Sequence, residues 1–290
     1  MKLFVLIPVH NRIGMTTQCV NDLLNQEFDR QTLVVVIDDG STDGTAEMLR
    51  QMKASTDGQM ISIDFIKGNG DWWWSYCMYR AIEMIRPQLD EDDAVLFLND
   101  DVRLDPNYLQ TLTSDFLAAD RNIIISQLMN IENHEERIDS AVRIDSNQLI
   151  IEAVTSNFYG QSKRYKESDA GPGRGTIYPA KVFLAGMNID YQKMPHYVAD
   201  YEFSVRARRN GMSIFCSEDA LVYTSKDFGN SKKRGGRFRR LIAKESSERL
   251  LSYWAFWRTA APELSSLQLI FRLLRYRIVP GVLGVSKIQK

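Results

Sequence analysis

The sequence predicts an α/β domain in which a Rossmann-like, mostly parallel sheet is flanked by helices. Three short apolar runs, at residues 2–7, 32–37 and 94–98, are bounded by polar residues, as expected of buried strands. Each run ends in a polar loop that is followed by helical patterning. Because an open α/β sheet binds its ligand beyond the carboxyl ends of its strands, this layout is typical of a nucleotide-binding domain.

The first run could be mistaken for the apolar part of a signal peptide. It is short, however, and it leads into a polar turn that contains no small-residue cleavage site. We therefore interpret residues 2–7 as the first strand of the sheet.

The second run is rich in β-branched residues and leads directly into the loop at residues 38–45. Gly40 allows a turn there at low steric cost, and Ser41 or Thr42 can cap a helix over residues 45–52.

The third run ends at two adjacent carboxylates, Asp100 and Asp101, preceded by Asn99. Carboxylates this close repel each other, and a hard divalent cation, which can in turn hold a diphosphate, would relieve the repulsion. The alternative is an acidic turn before a helix that starts at Asp105-Pro106, because Asp is common in turns. The residues alone leave both interpretations open.

Together these segments resemble the family-two glycosyltransferases of the GT-A fold. The resemblance covers about residues 2–224 and rests on five motifs in family order: PVHNR at 8–12, DDGSTDGT at 38–45, GNGDWWW at 68–74, LNDDV at 98–102 and ADYEF at 199–203. It implies an inverting transfer of a sugar from a UDP- or dTDP-linked donor to an acceptor hydroxyl. The acceptor would be a glycan or a lipid-linked molecule, in the assembly of surface glycans or lipid-linked oligosaccharides.

The resemblance also implies a metal ligand and a catalytic base. It assigns a divalent cation, Mn²⁺ or Mg²⁺, to the segment that ends at Asp101, with Asp101 at the usually ligating position. It assigns the general base to Asp200, although an Asp at a helix start can also serve only as a cap. Two departures weaken the metal assignment: Asn99 replaces a first carboxylate, and no His follows His196.

The donor site implied by the resemblance is built from the loops that follow the strands. Asp38 and Asp39 lie where the family recognises base and ribose, although N-capping of the next helix is the alternative. Arg12 can meet a phosphate. The residues expected to contact the donor are Pro8, His10, Arg12, Asp38, Asp39, Gly68, Asn69, Asp71, Trp73, Asn99 and Asp100. Three consecutive indoles cannot all face one core, so at least one of them is expected to stack on sugar or base.

The middle of the chain gives weaker signals. Residues 122–128 predict another strand, and the alternation in 138–154 predicts one or two antiparallel strands at the sheet edge. Residues 168–175 predict a loop, and 200–210 predict a helix, with Asp200 as its N-cap or in its first turn, that ends before Gly211.

The composition changes near residue 225. Residues 226–290 contain 15 basic and 4 acidic side chains, a net charge of +11, whereas the preceding 21 basic and 33 acidic residues give −12. We therefore expect a GT-A domain over 1–225, with a nucleotide-binding half at about 1–102 and an acceptor half at about 103–225. A basic, aromatic, helical tail at 226–290 would follow, with helices at about 241–258 and 263–278.

The tail permits several functions. Its basic residues, with the aromatic residues Phe238, Trp254, Trp257, Phe271 and Tyr276, could form a nucleic-acid surface, but no nucleic-acid module is recognisable and none is expected as a partner. The same mixture is typical of an interfacial helix on an anionic membrane. Alternatively, the tail helices pack on the catalytic domain or form a homodimer.

Other classes of protein fit less well. A sugar-nucleotide-binding protein or a nucleotidyltransferase with a basic tail that binds nucleic acid or membrane remains the alternative. A pyrophosphorylase would need a Gly-rich, Arg-bearing loop after the first strand, and a dehydrogenase would need GxGxxG there. Three scattered cysteines without CxxC spacing indicate neither a disulfide framework nor a zinc site. We expect a cytoplasmic protein, either free or peripheral on the inner face of the cell membrane.

Overall fold

The computed structural model describes residues 1–138, 140–154, 165–225, 237–244, 246–247 and 249–275. The strands in this part are β1 Leu3–Val9, β2 Thr32–Asp38, β3 Ile61–Lys67, β4 Ala94–Phe97, β5 Val102–Leu104, β6 Ile123–Asn130, β7 Asn133–Ile138, β8 Val142–Asp145, β9 Ile150–Ala153, β10 Tyr165–Glu167, β11 Thr176–Pro179 and β12 Ile214–Thr224. The helices are α1 Ile13–Leu24, α2 Thr45–Thr56, α3 Trp73–Ile85, α4 Tyr108–Ala118, α5 Ala180–Leu184, α6 Ala199–Arg209, α7 Arg237–Ile242, α8 Leu250–Ala260 and α9 Ser266–Leu273. The main sheet has the order β10-β12-β6-β11-β4-β1-β2-β3, with β5 paired to β12 and β7 paired to β6.

The amino-terminal half of the sheet is parallel. β3, β2, β1 and β4 run in the same direction, and the three predicted buried strands are confirmed as β1, β2 and β4. Alternate side chains of β1 enter different clusters, since Phe4 packs with Met78 of α3 and Val5 packs with Val20 of α1. Helices therefore cover both faces, which explains why these strands are apolar throughout.

The second half of the sheet is mixed. β11 lies antiparallel between β4 and β6, and β12 then pairs with β6 in parallel. The predicted strand at 122–128 is confirmed as β6, and the predicted loop at 168–175 leads into β11. Because β11 runs against β4, it begins at the edge where β4 ends.

The prediction of edge strands within residues 138–154 is wrong in its placement. β8 and β9 pair only with each other, in a separate two-stranded sheet, and β7 is the strand that pairs with β6 of the main sheet. The backbone N–H groups of Val142 and Ile144 donate to side chains of the loop after β10. Those hydrogen bonds hold β8 where it is, and an alternating pattern cannot reveal them.

The start of α2 also differs from the prediction. Neither Ser41 nor Thr42 caps this helix: the N-cap position is Gly44, at φ +97°, and Asp43 accepts the N–H of Thr45. The hydroxyl of Ser41 instead accepts the backbone N–H of Asn11, in the loop after β1. The residue types allowed either arrangement, and the packing of the two loops decides between them.

The helix predicted over 200–210 is confirmed as α6, with Asp200 in its first turn. Gly211 follows the C-cap residue at φ +90°, the left-handed conformation expected of a C′ glycine. The N-cap position is taken by Val198, which makes no side-chain cap hydrogen bond.

The described part of the tail contains α7, α8 and α9, and the last two pack on the domain before them. The prediction of one helix over 241–258 is wrong, because α7 ends at Ile242 and α8 begins at Leu250. Phe256 and Trp257 of α8 are fully buried in the cluster that contains Phe203 of α6. The interpretation of Trp257 as part of a nucleic-acid surface is therefore wrong, because its indole lies in the core. Residues 226–236 and 276–290, which include Tyr276, lie outside the described residues, as does the side chain of Phe238. None of the helices that can be described has the length and apolar character needed to cross a bilayer.

If α8 belongs to the core, truncating one of its buried side chains should destabilise the whole domain. Phe256→Ala should lower the free energy of unfolding by about 3–5 kcal/mol, because it removes a ring that is 0% exposed. Phe271→Ala on α9 is the matched control: its ring is 66% exposed, so its effect should stay within about 0.5 kcal/mol. Urea unfolding measures both, and equal effects would contradict the packing of α8.

Candidate active site

The predicted site residues converge on one edge of the sheet. The loops after β1, β2, β3 and β4 meet there because these strands are parallel, and β11 begins at the same edge. The loop before β11 in turn contacts the first turn of α6. The structure therefore brings Asp200 and the segment 99–101 to one region, although more than ninety residues separate them in the chain.

The loops after β1 and β2 are joined by hydrogen bonds. Asn11, at φ +51°, accepts the N–H of Thr42 at 2.8 Å, and its own N–H donates to Ser41 Oγ at 2.8 Å. The N–H of Ile13 donates to Asp43 Oδ2 at 2.8 Å. The left-handed backbone of Asn11 suits this residue type better than most others. These contacts hold the loop that follows Pro8 of β1, one of the residues predicted to contact the donor.

Asp39 organises the loop that follows β3. Its carboxylate accepts three backbone N–H groups, from Gly70 at 2.8 Å and from Trp72 and Trp73 at 3.0 Å each. The carbonyl oxygen of Asp39 lies 2.6 Å from Nδ1 of His10. The described contacts of the Asp39 carboxylate are thus with the loop after β3, and its contact with a donor stays a prediction.

Asp38 is fully buried beside this loop. Its Oδ1 accepts the N–H of Ser41 at 2.9 Å, whereas its Oδ2 is buried without a hydrogen-bond partner among the described residues. An unsatisfied buried acceptor costs about 1–3 kcal/mol, so a ligand that donates a hydrogen bond to it would recover that energy.

The loop at 68–74 is itself closely packed. A Cβ on Gly68 would lie 2.7 Å from Asp39 Oδ1, so this position excludes a side chain. Asn69 accepts the N–H of Asp71 at 3.1 Å, and Asp71 accepts the indole N–H of Trp73 at 3.1 Å. Trp73 begins α3 at φ +56°, an uncommon conformation for a non-glycine residue.

The two carboxylates after β4 are held by arginines. Asp100 accepts from Arg12 Nη1 at 3.1 Å and from the hydroxyl of Thr16 at 3.1 Å. Asp101 accepts from Arg174 Nη2 at 3.0 and 2.9 Å, and Arg12 Nη1 lies 3.6 Å from it. Burial raises the pKa of Asp100 to about 6, and the guanidinium of Arg12 opposes that shift.

These contacts do not fit a cation held at Asp101. Asp100 is buried with both oxygens engaged, and Asn99 Oδ1 accepts the indole N–H of Trp74 at 3.2 Å. Over the ranges that the structure covers, no group of three His, Cys, Asp or Glu side chains could hold a metal. Guanidinium groups occupy the oxygens that the resemblance assigns to a divalent ion.

Arg174 is the residue that sequence reasoning missed. It lies in the loop predicted at 168–175, largely buried and flanked by glycines. A Cβ on Gly173 would lie 2.4 Å from the ring of Trp74, so only glycine permits this approach. A basic residue between two glycines was the available signal, but nothing in the sequence indicates its partner.

Asp200 faces the same loop. Its Oδ2 accepts the N–H of Gly173 at 2.8 Å, and its Oδ1 accepts the N–H of Tyr201 at 2.9 Å. Burial raises the pKa of Asp200, and these N–H donors together with Arg174 partly offset that rise. Val198, two residues earlier, has φ +62°, which is strained for a β-branched residue. Strain of this kind is concentrated at functional sites.

The three indoles have three separate surroundings. Trp72 packs edge-on against Tyr76 at 5.1 Å, and Trp74 spans from Asn99 to Gly173. Trp73 packs against the ring of His196, with 5.6 Å between ring centroids, and His196 lies 4.4 Å from Tyr197 in the segment before α6.

Burial and the nearby charge of Arg12 lower the pKa of His196 to about 4. Its Nδ1 is buried and has no hydrogen-bond partner within the described ranges. The imidazole is therefore neutral in the folded protein at pH 7.

The sequence matches the family model described as Glycosyl transferase family 2 over residues 4–185. A stretch of 125 residues is 26% identical to an uncharacterized glycosyltransferase of Mycoplasma genitalium. This stretch covers 41% of the chain and 41% of that relative, so the chain matches less than half of the relative's length.

Several solved structures have a similar fold. S. aureus TarS 1-349 in complex with UDP gives a TM-score of 0.61 at 14% identity, over 99% of this chain and 76% of that one. The complex of the same protein with UDP-GlcNAc gives 0.56 at 14% identity, over 99% and 77%. GalNAc-T7 with UDP, GalNAc and Mn²⁺ gives 0.58 at 13% identity, over 77% and 44%. At these identities the similarity is one of fold: a central sheet flanked by helices.

The state of His196 predicts a pH dependence of stability. In the unfolded chain His196 binds a proton near pH 6.5, whereas in the folded chain its pKa is about 4. Acid therefore favours the unfolded state. Between pH 7.5 and 5.0 the free energy of unfolding should fall by about 2 kcal/mol more in the wild type than in His196→Gln. His134→Gln, at an exposed histidine, is the control and should retain the wild-type slope. Identical slopes in the wild type and His196→Gln would contradict the buried, neutral state.

Proposed function

Because the chain belongs to glycosyltransferase family 2 and has the GT-A fold, we propose that it transfers a sugar from a nucleoside-diphosphate donor to an acceptor hydroxyl. The observation that supports this best is the position of Asp200. This carboxylate has a raised pKa and lies next to the loop whose Arg174 holds Asp101 of the donor-side edge. These contacts support a base for the acceptor that lies beside the proposed donor site.

The proposed donor carries UDP or dTDP. The TarS structures of similar fold contain UDP or UDP-GlcNAc, which supports a nucleotide sugar as ligand. In this chain the buried Oδ2 of Asp38 can accept a hydrogen bond from the base or the ribose. His10 and Arg12, at the end of the neighbouring strand, would line the pocket on the base side and the phosphate side.

The proposed reaction is a single displacement. Asp200 accepts the proton of the acceptor hydroxyl as that oxygen forms a bond to the anomeric carbon, and the bond from this carbon to the diphosphate oxygen breaks. The nucleoside diphosphate leaves with the electron pair. Attack from the face opposite the leaving group inverts the anomeric centre. A raised pKa suits a general base, because it increases proton affinity in the ionised state.

The proposed acceptor is a sugar-bearing molecule, either a glycan or a lipid-linked one. Trp73, His196 and Tyr197 form an aromatic group in the segment that leads into α6 and Asp200. Aromatic rings present flat apolar faces on which a sugar ring can stack. The neutral state of His196 keeps this surface uncharged at pH 7.

We further propose that the tail places the enzyme on an anionic membrane surface, at the inner face of the cell membrane. One side of α9 packs into the core through Leu269, whereas Leu267 and Phe271 point outward and are 79% and 66% exposed. Residues 226–290, the segment that contains this helix, carry a net charge of +11. Basic residues attract an anionic leaflet and outward apolar side chains enter its headgroup region. A homodimer through the same surface is the competing assembly.

The role of Asp200 predicts a separation of binding from chemistry. Asp200→Asn should lower the rate of sugar transfer by about 10²–10⁴-fold, because an amide cannot take the acceptor proton. Its affinity for UDP, measured by calorimetry, should stay within about threefold of the wild type, because the proposed role of Asp200 is to act on the acceptor and not to bind the diphosphate.

Asp92→Asn, an exposed carboxylate at the amino end of β4, provides the matched control and should retain full turnover. Normal turnover in Asp200→Asn would refute the base assignment. UDP binding by a wild type that transfers no sugar would instead favour the alternative in which the chain only binds sugar nucleotides.

The membrane proposal predicts salt-sensitive vesicle binding. The full chain should co-sediment with phosphatidylglycerol vesicles and not with phosphatidylcholine vesicles, and high salt should release it. The double change Leu267→Ser and Phe271→Ser should weaken binding. A control pair, Met15→Ser and Met60→Ser, removes exposed apolar side chains elsewhere and should not. Absence of vesicle binding together with a dimer in light scattering would assign the tail to self-association.

A further inference from the structure

We propose that Arg174 and Arg12, in place of a divalent cation on Asp101, neutralise the diphosphate of the donor. This inference rests on the proposed function, since it concerns the same donor. It departs from the resemblance, which assigns the neutralising charge to a metal ion.

The first argument is the occupancy of the carboxylates. Arg174 Nη2 lies within hydrogen-bond distance of both oxygens of Asp101, at 3.0 and 2.9 Å. Arg12 bridges the two carboxylates, at 3.1 Å from Asp100 and 3.6 Å from Asp101. A cation that used Asp101 as a ligand would have to displace a largely buried guanidinium from its partner, which is costly.

The second argument is charge. Two guanidinium groups supply a charge of +2, the same as one divalent cation, against the same pair of carboxylates. Arginine remains charged at any pH at which proteins are folded, and its planar fork matches the oxygens of a phosphate. The edge therefore has the charge that a metal would bring, without a metal.

The third argument is the set of residues around Asp101. Asn99, in place of a carboxylate, accepts a hydrogen bond from Trp74 and so acts in packing. Thr224, at the end of β12, donates its hydroxyl to the backbone carbonyl of Asp101 at 3.2 Å. No histidine occurs in the chain after His196. Within the part of the chain that the structure describes, Asn99 and Thr224 thus support the loop and its ion pairs.

The two arginines would then have different tasks. The side chain of Arg12 is 49% exposed, so it can follow the diphosphate as the donor enters and the product leaves. Arg174 is held by Asp101 and adjoins the Gly173–Asp200 contact, so it would bind the diphosphate from a fixed position. Asp101 is in this view a positioning residue for Arg174.

The test uses the full chain with UDP and dTDP as probes, measured by calorimetry after treatment with EDTA and again after addition of Mn²⁺ or Mg²⁺. The proposal predicts binding of at least one probe in EDTA, with an affinity that changes by less than about threefold on addition of metal. Binding that appears only with metal would overturn the proposal and leave the proposed function intact. No binding of either probe under any condition would overturn both.

Variants assign the effect to the phosphate. Arg174→Gln should weaken binding of the nucleoside diphosphate by about tenfold or more in EDTA, and Arg174→Lys should weaken it less. Binding of the nucleoside alone, uridine or thymidine, should not change, which separates lost phosphate contact from misfolding. The matched control is Arg121→Gln, which breaks an Arg–Asp pair with Asp92 at the opposite edge of the sheet. Wild-type affinity of Arg174→Gln for the nucleoside diphosphate would overturn the proposal.

Discussion

The ion pair between Arg174 and Asp101 is the contact on which the arrangement of the site depends. Asp101 follows β4, in the parallel half of the sheet, and Arg174 precedes β11, where the mixed half begins. The residue beside Arg174 is Gly173, whose N–H binds Asp200 and whose lack of a side chain admits the ring of Trp74. One ion pair therefore fixes the distance between the donor edge and the proposed base. An inserted charge or an added Cβ at this point would disturb both halves.

Hydrogen bonds within and between its loops hold the same edge together. The carboxylate of Asp39 gathers three backbone N–H groups of the loop after β3, and Asn11 joins the loops after β1 and β2. Trp73 and Val198 adopt left-handed backbone conformations. Such conformations cost of order 1–3 kcal/mol each and persist only where surrounding contacts enforce them. A preorganised site avoids the cost of ordering its loops when a donor binds.

The sequence predicts those features that depend on local patterns. Continuous apolar runs identified β1, β2 and β4 because helices cover both faces of a parallel sheet, and Gly211 marked the end of α6 because a C′ residue takes φ > 0. The rest depends on contacts between distant residues. Arg174 meets a carboxylate 73 positions away, and β8 is held by the loop after β10. Likewise, Trp257 and Phe271 are both aromatic residues of a basic tail, but only packing places the first in the core and the second in solvent.

The central claim is that a nucleoside diphosphate binds at the carboxyl edge of the parallel strands, between the loops after β1 to β4 and the start of β11. Hydrogen–deuterium exchange of the full chain with and without UDP or dTDP measures this most directly. The account predicts increased protection in residues 9–16, 38–45, 67–75, 98–102 and 172–176 together, with no comparable change in α8 and α9. Protection confined to the tail, or an exchange pattern in which only one of these loops responds, would contradict it.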